Sequence, residues 1–151
     1  MAPDAVNLLQ ADHKQIEALF AKLTSTSQRA VKTRSVLVTK LKAALEIHMR
    51  VEESVFYPAL AEMELTHTIA VNSVEQHTLL EQLMSEFELM NVQDEKWQAK
   101  LKLLHDSFQS HVKEEERDTF KKTHQIFSSS QMKTLGRRLY HAKQEAKTMI
   151  D

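Results

Sequence analysis

The chain of 151 residues contains no cysteine. That excludes disulfides, cysteine nucleophiles, Cys-ligated zinc and Cys-ligated iron–sulfur clusters, so any metal must be held by His, Asp, Glu or Tyr. Glycine and proline are almost as scarce, with one Gly (Gly136) and two Pro (Pro3 and Pro58). Hairpins and sheet turns depend on those residues, whereas the abundant Leu, Ala, Glu, Lys, Gln and Met favour helix, so the expected class is all-α. No run of about 18 apolar residues occurs. The opening stretch "MAPDAVNLLQADH" lacks both the cationic and the uninterrupted apolar parts of a signal peptide. Neither a membrane association nor export is therefore expected, and the expected location is cytoplasmic. An excess of charge is also missing: 20 Lys and Arg against 21 Asp and Glu leave a formal net charge of -1. There is no basic surplus for nucleic acid and no acidic tail.

What the chain does have is hydrophobic periodicity. With 42% hydrophobic residues over this length, residues 1–151 are expected to form one domain. Apolar residues recur at three and four, broken by "TSTSQ" (24–28), "ELTHT" (64–68), "NVQDE" (91–95) and "SSSQ" (128–131). The first helix runs from about Pro3 to Leu23, with Leu9, Ile16, Phe20 and Leu23 on one stripe. The second runs from about Gln28 to Glu62, burying Leu37, Leu41, Leu45, Val51 and Val55, with Pro58 expected to kink or end it. The third, from about Ile69 to Met90, carries Val74, Leu80, Met84 and Phe87. The fourth begins near Asp94 and carries Trp97, Leu101, Leu104 and Phe108. Ser128 with Gln131 forms a capping-box pattern that opens a fifth helix. Short breaks favour antiparallel neighbours. The expected architecture is an up-down-up-down four-helix bundle over about 3–127, with an additional C-terminal helix over about 129–149 against its outside or one end.

The chain also repeats itself. "DHKQIEALF" (12–20) matches "QHTLLEQLM" (76–84), and "HMRVEE" (48–53) matches "HVKEEE" (111–116), with His–His separations of 35 and 34 residues. Two similar hairpins would meet in a pseudo-twofold bundle.

Each repeated histidine sits on an apolar stripe: His13 between Leu9 and Ile16, His48 between Leu45 and Val51, His77 between Val74 and Leu80, and His111 three residues after Phe108. One buried histidine is ordinarily satisfied by a backbone carbonyl, but four in one small bundle incur desolvation four times unless something shared satisfies them. A metal centre is such a partner. Positions i and i+4 of a helix lie about 6 Å apart on one face, so His48 with Glu52 and His111 with Glu115 each aim an imidazole and a carboxylate at one spot. A carboxylate can bridge two metals and a neutral imidazole nitrogen binds one. Two His per metal with two shared carboxylates is the natural partition, leaving positions for a bridging oxygen and an exogenous ligand. On donor chemistry alone, iron, zinc, manganese and cobalt all suit this set.

These residues, His13 in "DHKQI", His48 and Glu52 in "HMRVEE", His77 in "EQHTLLEQL", and His111 and Glu115 in "HVKEEE", closely resemble the hemerythrin family, in particular the prokaryotic hemerythrin-like HHE cation-binding domains. The resemblance spans nearly the whole chain in motif order and spacing. It implies a non-haem di-iron centre, two iron ions with a bridging oxo or hydroxo group, binding oxygen or a related diatomic such as nitric oxide for carriage or sensing. The alternatives are a di-iron redox enzyme acting on peroxide or oxygen, and an iron-handling protein. Oxygen-carrying hemerythrins have a fifth His one turn away on the third helix, where this chain has Ser73 and Glu81. One metal is therefore expected to carry a water or a carboxylate in that place.

Other signals receive lesser readings. Glu17 and Glu81, at i+4 from His13 and His77, are expected at the edge of the stripe or hydrogen-bonded around the site, and Glu53 and Glu116 in solvent. His67, His105, His124 and His141 are expected at the surface. Tyr57, nine residues after His48, falls on the far side of an ideal helix and is given no role. "ELTH" (64–67) fits the ExxH of ferritin-like proteins, which need two such motifs. Met84 and Met90 read as core packing, and the basic "GRRLYHAKQEAK" (136–147) as a solvated face.

Overall fold

The computed structural model describes residues 3–150, all of whose regular structure is helical. The elements are α1 (Ala5–Thr24), α2 (Val31–Val51), a π-helical turn π1 (Glu52–Phe56), α3 (Tyr57–Ala61), α4 (His67–Glu88), α5 (Trp97–Glu114), a second π turn π2 (Glu115–Thr119), α6 (Phe120–Ile126) and α7 (Ser129–Ile150). α2, π1 and α3 run on without a break, as do α5, π2 and α6. Around the bundle α1 packs on α2, α2 on α4, α4 on α5 and α5 on α1, while α7 lies outside against α1, α2 and π1. No described helix is long and apolar enough to cross a membrane.

Local chemistry explains the ends. Asp4 caps α1 by accepting from the Asn7 N–H at 2.9 Å. At α7 the capping box is reciprocal: the Ser128 N–H donates to Gln131 Oε1 at 2.7 Å and the Gln131 N–H to Ser128 Oγ at 3.1 Å. Pro58 does not end the helix at once: it is the second residue of α3, one residue after π1, and the helix runs on to Ala61. At the far end of the bundle the buried Arg34 donates to the Thr26 hydroxyl and carbonyl at 2.9 and 3.1 Å and lies 3.9 Å over the Trp97 ring. It also donates to the Val92 carbonyl, tying the α1–α2 and α4–α5 connections together.

Two apolar layers fill the interior. One, toward the end that α7 covers, holds Leu9, Val55, Phe56, Leu60, Phe120, Leu135 and Leu139; the other holds Ile16, Phe20, Leu41, Leu45, Leu80, Phe87, Trp97 and Phe108. Between them every main helix contributes buried polar side chains, so the metal-type residues form a slab across the bundle. The apolar stripes read from sequence are buried, except that Val74 is 36% exposed and Ser73 takes the inward place instead.

α7 approaches the start of the chain closely enough to require glycine. A Cβ on Gly136 would overlap the Pro3 carbonyl oxygen and press on the backbone at Asp4 and Ala5. Gly136→Ala would ordinarily stabilise a helix by about 0.5–1 kcal/mol. Here overpacking outweighs that gain, and a net loss of about 1–2 kcal/mol in denaturant unfolding is expected.

Candidate metal centre

The six residues His13, His48, Glu52, His77, His111 and Glu115 are buried and lie together. Glu52 Oε1 stands 3.0 Å from His48 Nε2 and 3.1 Å from His77 Nε2, so one oxygen faces both hairpins. Glu115 Oε1 is 3.1 Å from His13 Nε2, and its Oε2 is 3.5 Å from His111 Nε2. Donor atoms of His13, His48, Glu52 and Glu115 fall within 4.8 Å of one another, and so do those of Glu52, His77 and His111. Glu52 belongs to both groups.

Despite these separations, His13 Nε2, His48 Nε2, both Glu52 oxygens and Glu115 Oε1 are buried with no hydrogen-bond partner. Orphaned buried acceptors are rare because each costs about 1–3 kcal/mol. Buried nitrogen and carboxylate atoms that converge in this way suit cations placed between them, and nitrogen with carboxylate oxygen suits a transition metal. The residues present therefore fit a dinuclear metal group.

The outward nitrogen of each imidazole is held. Asp12 Oδ2 lies 3.2 Å from His48 Nδ1, Gln76 Oε1 2.5 Å from His111 Nδ1, Glu53 Oε2 2.9 Å from His77 Nδ1, and Glu116 Oε2 2.7 Å from His13 Nδ1. Such partners place the N–H on Nδ1 and leave Nε2 as the inward donor. Glu53 and Glu116 are thus not free in solvent. Their signal is in the repeat itself: the residue before the first His of each hairpin (Asp12, Gln76) serves the second His of that hairpin. The residue after each inward Glu (Glu53, Glu116) serves the first His of the other hairpin. Glu17 and Glu81 take no part. Glu17 pairs with His105 at 2.6 Å, and Glu81 is exposed. His105 is half-buried, its ring stacked on Phe20 with centroids 4.4 Å apart.

Tyr57 overturns its sequence reading. π1 inserts an extra residue into the helix and sets back the phase by about 100°, which brings Tyr57 round to the site. Its hydroxyl donates to Glu115 Oε2 at 2.5 Å and lies 3.2 and 3.5 Å from the Nε2 atoms of His77 and His111. Ser73, small and buried, stands beside it. The phenol thus lies beside His77 and His111, on the side where a water or a carboxylate is expected. π2 does the same in the other half, but there the residue delivered is Phe120, whose ring stacks on His13 with centroids 6.0 Å apart. The two halves of the repeat thus differ in kind here, phenol against phenyl, as they do at the outward partners, where Asp12 stands against Gln76.

Charge is unevenly held in the metal-free site. Burial opposes a charge on His48, but the Glu52 carboxylate and Asp12 outweigh it and raise its pKa to about 10. His77 is raised to about 9 against its burial by Glu52 and Glu53. His111, paired outward with an amide, is pushed down to about 3 by burial. Burial, then the Glu52 charge, raises Glu115 to about 7. Burial and the same carboxylates raise the Tyr57 phenol, which keeps its proton.

The model of the hemerythrin HHE cation-binding domain matches residues 4–123. The chain belongs to that family. It is accordingly a cation-binding domain, and its buried His and Glu side chains form groups that could hold a metal ion. The crystal structure of a hemerythrin HHE cation-binding domain-containing protein from Mycobacterium kansasii superposes with a TM-score of 0.85, covering 97% of this chain and 89% of that one at 22% identity. At that identity the likeness speaks to fold, and it extends past the family model to α7. A search of curated proteins finds no match.

Proposed function

We propose that this hemerythrin-like domain holds a non-haem di-iron centre and binds oxygen or a related diatomic. The observation that carries the reading is Glu52, whose unpartnered oxygens belong to both donor groups. One iron would be held by His13 and His48, the other by His77 and His111, with Glu52 and Glu115 shared between them. The ions supply, when bound, a redox-active pair with room for a small ligand. Donors at about 2.1 Å from one ion stand about 3 Å apart. The Tyr57 hydroxyl is spaced from His77 and His111 in that way and would complete the second ion's shell. A small exogenous ligand would then be taken at the ion held by His13 and His48. Phe108 and Phe120, with ring centroids 6.2 and 6.0 Å from that of His13, keep its surroundings apolar and suited to a neutral diatomic.

The deciding experiment is the optical spectrum of anaerobically reduced, metal-quantified protein as air is admitted and then removed. A charge-transfer band that comes and goes with oxygen supports carriage or sensing. A band that persists supports the second reading, redox turnover of peroxide or oxygen. Tyr57 favours that reading, since an anionic oxygen donor stabilises the ferric state. Tyr57→Phe is expected to retain both metals and to lose visible absorption of the oxidised protein. An unchanged oxidised spectrum would remove Tyr57 from the metal's shell.

A further inference from the structure

α7 repeats, on one helix, the anomaly that marks the metal site. Its buried face runs Met132, Leu135, Leu139 and Ala146, and Lys143 falls on that stripe, four residues after Leu139 and three before Ala146. A lysine there must reach a partner. Its Nζ lies 2.5 Å from Asp12 Oδ1, while Asp12 Oδ2 faces His48 Nδ1 at 3.2 Å. α7 lies beyond the residues that the family model matches, so this contact comes from outside the metal-holding bundle.

The four outward partners are not equivalent. Glu53 and Glu116 are 34% and 38% exposed, so water screens their charge, and Gln76 is neutral. Asp12 is 4% exposed, and its charge is balanced by Lys143. A cavity of about 80 Å³ between α1, α2 and α7, lined by Asp12, Gln15, Ile47, His48, Lys143 and Lys147, leaves little water to replace the ammonium. An anion hydrogen-bonded to Nδ1 pushes electron density toward Nε2 and strengthens the imidazole as a donor. A cation on that anion draws the density back.

We propose that Lys143 is a positioning residue for the metal centre: acting through Asp12, it sets the donor strength of His48, so that docking of the C-terminal helix tunes the potential of the ion held by His13 and His48. This rests on the di-iron reading above. Lys143→Met keeps the length and apolar stem but leaves Asp12 unbalanced, which makes His48 a stronger donor and favours the oxidised metal.

The test is a spectroelectrochemical titration of the full chain with metal content determined in parallel. Lys143→Met is expected to retain both metals and to show a lower midpoint potential, with Lys143→Arg restoring the native value. Asp12→Asn should raise the potential and abolish the effect of adding Lys143→Met. An unshifted or raised potential in Lys143→Met, a shift that persists in the Asp12→Asn background, or an equal shift from Lys147→Met at the cavity rim would each overturn the proposal. Those outcomes leave the di-iron reading standing. A native protein that takes up no metal would instead overturn both.

Discussion

Glu52→Ala is expected to remove both metals at once. Each inward histidine would hold one ion, so losing His13 or His111 leaves the opposite ion with its own histidines and carboxylate. Glu52 alone is counted in both groups. A cation that binds only the folded chain stabilises it by about 4 kcal/mol when present at a thousandfold excess over its dissociation constant. In a domain of this size 1 kcal/mol corresponds to about 2–4 °C. The variant should therefore show little residual metal by elemental analysis and melt on the order of 10 °C below the loaded native protein. Metal-free Glu52→Ala should also be less stable than the metal-free native chain, by about 3–5 kcal/mol, because protonated His48 is left buried without its main counter-charge. Glu46→Ala, a half-buried residue of α2 outside both donor groups, supplies the control and should keep its full complement. Full metal retention in Glu52→Ala would sink the assignment of the site.

Much of this was legible in the residue order, and the parts that were not have physical causes. Helical periodicity places His13, His48, His77 and His111 on apolar stripes because α-helical phase holds through those positions. It fails after Glu52 and Glu115, where π turns insert a residue that no local propensity announces, and so ideal-helix phase puts Tyr57 on the wrong side. Glu53 and Glu116 look solvated in the sequence because an i+1 neighbour of an inward residue points away from it on its own helix. Their partners, His77 and His13, come from the opposite hairpin, and only the assembled bundle brings them within 2.9 and 2.7 Å. The same holds for Lys143, whose basic surroundings suggest a solvated face until α7 docks. Val74 and Ser73 exchanged places because a stripe centred on His77 tolerates either as its next inward residue.

Raising the pH should strengthen metal binding while weakening the metal-free fold. In the metal-free protein His48, at about 10, and His77, at about 9, stay protonated well above the unfolded-state value near 6.5. For groups whose folded pKa is raised, the stabilisation is fully present below the unfolded value and is lost as pH rises through the folded one. Between pH 6.5 and 10 the metal-free melting temperature should therefore fall. Over the same window a metal must displace those protons to reach Nε2, so its apparent affinity should rise about tenfold per pH unit for each proton released. Two ions taken up together displace both imidazole protons, giving roughly a hundredfold per unit up to pH 9, and a Tyr57 that binds as the anion would release a further proton and add about tenfold. His111, at about 3, has already lost its proton and contributes no slope. Glu115, at about 7, adds to the slope only near and below neutrality. Competition between the protein and a chelator for zinc, which has no redox chemistry to confuse the reading, measures the affinity, and thermal unfolding with and without zinc measures the fold. The gap between the two melting temperatures should widen as pH rises from 6.5 to 9. A pH-independent affinity, or a metal-free melting temperature that rises across the window, would mean that the imidazoles are neutral without metal and that Glu52 and its neighbours carry the protons instead.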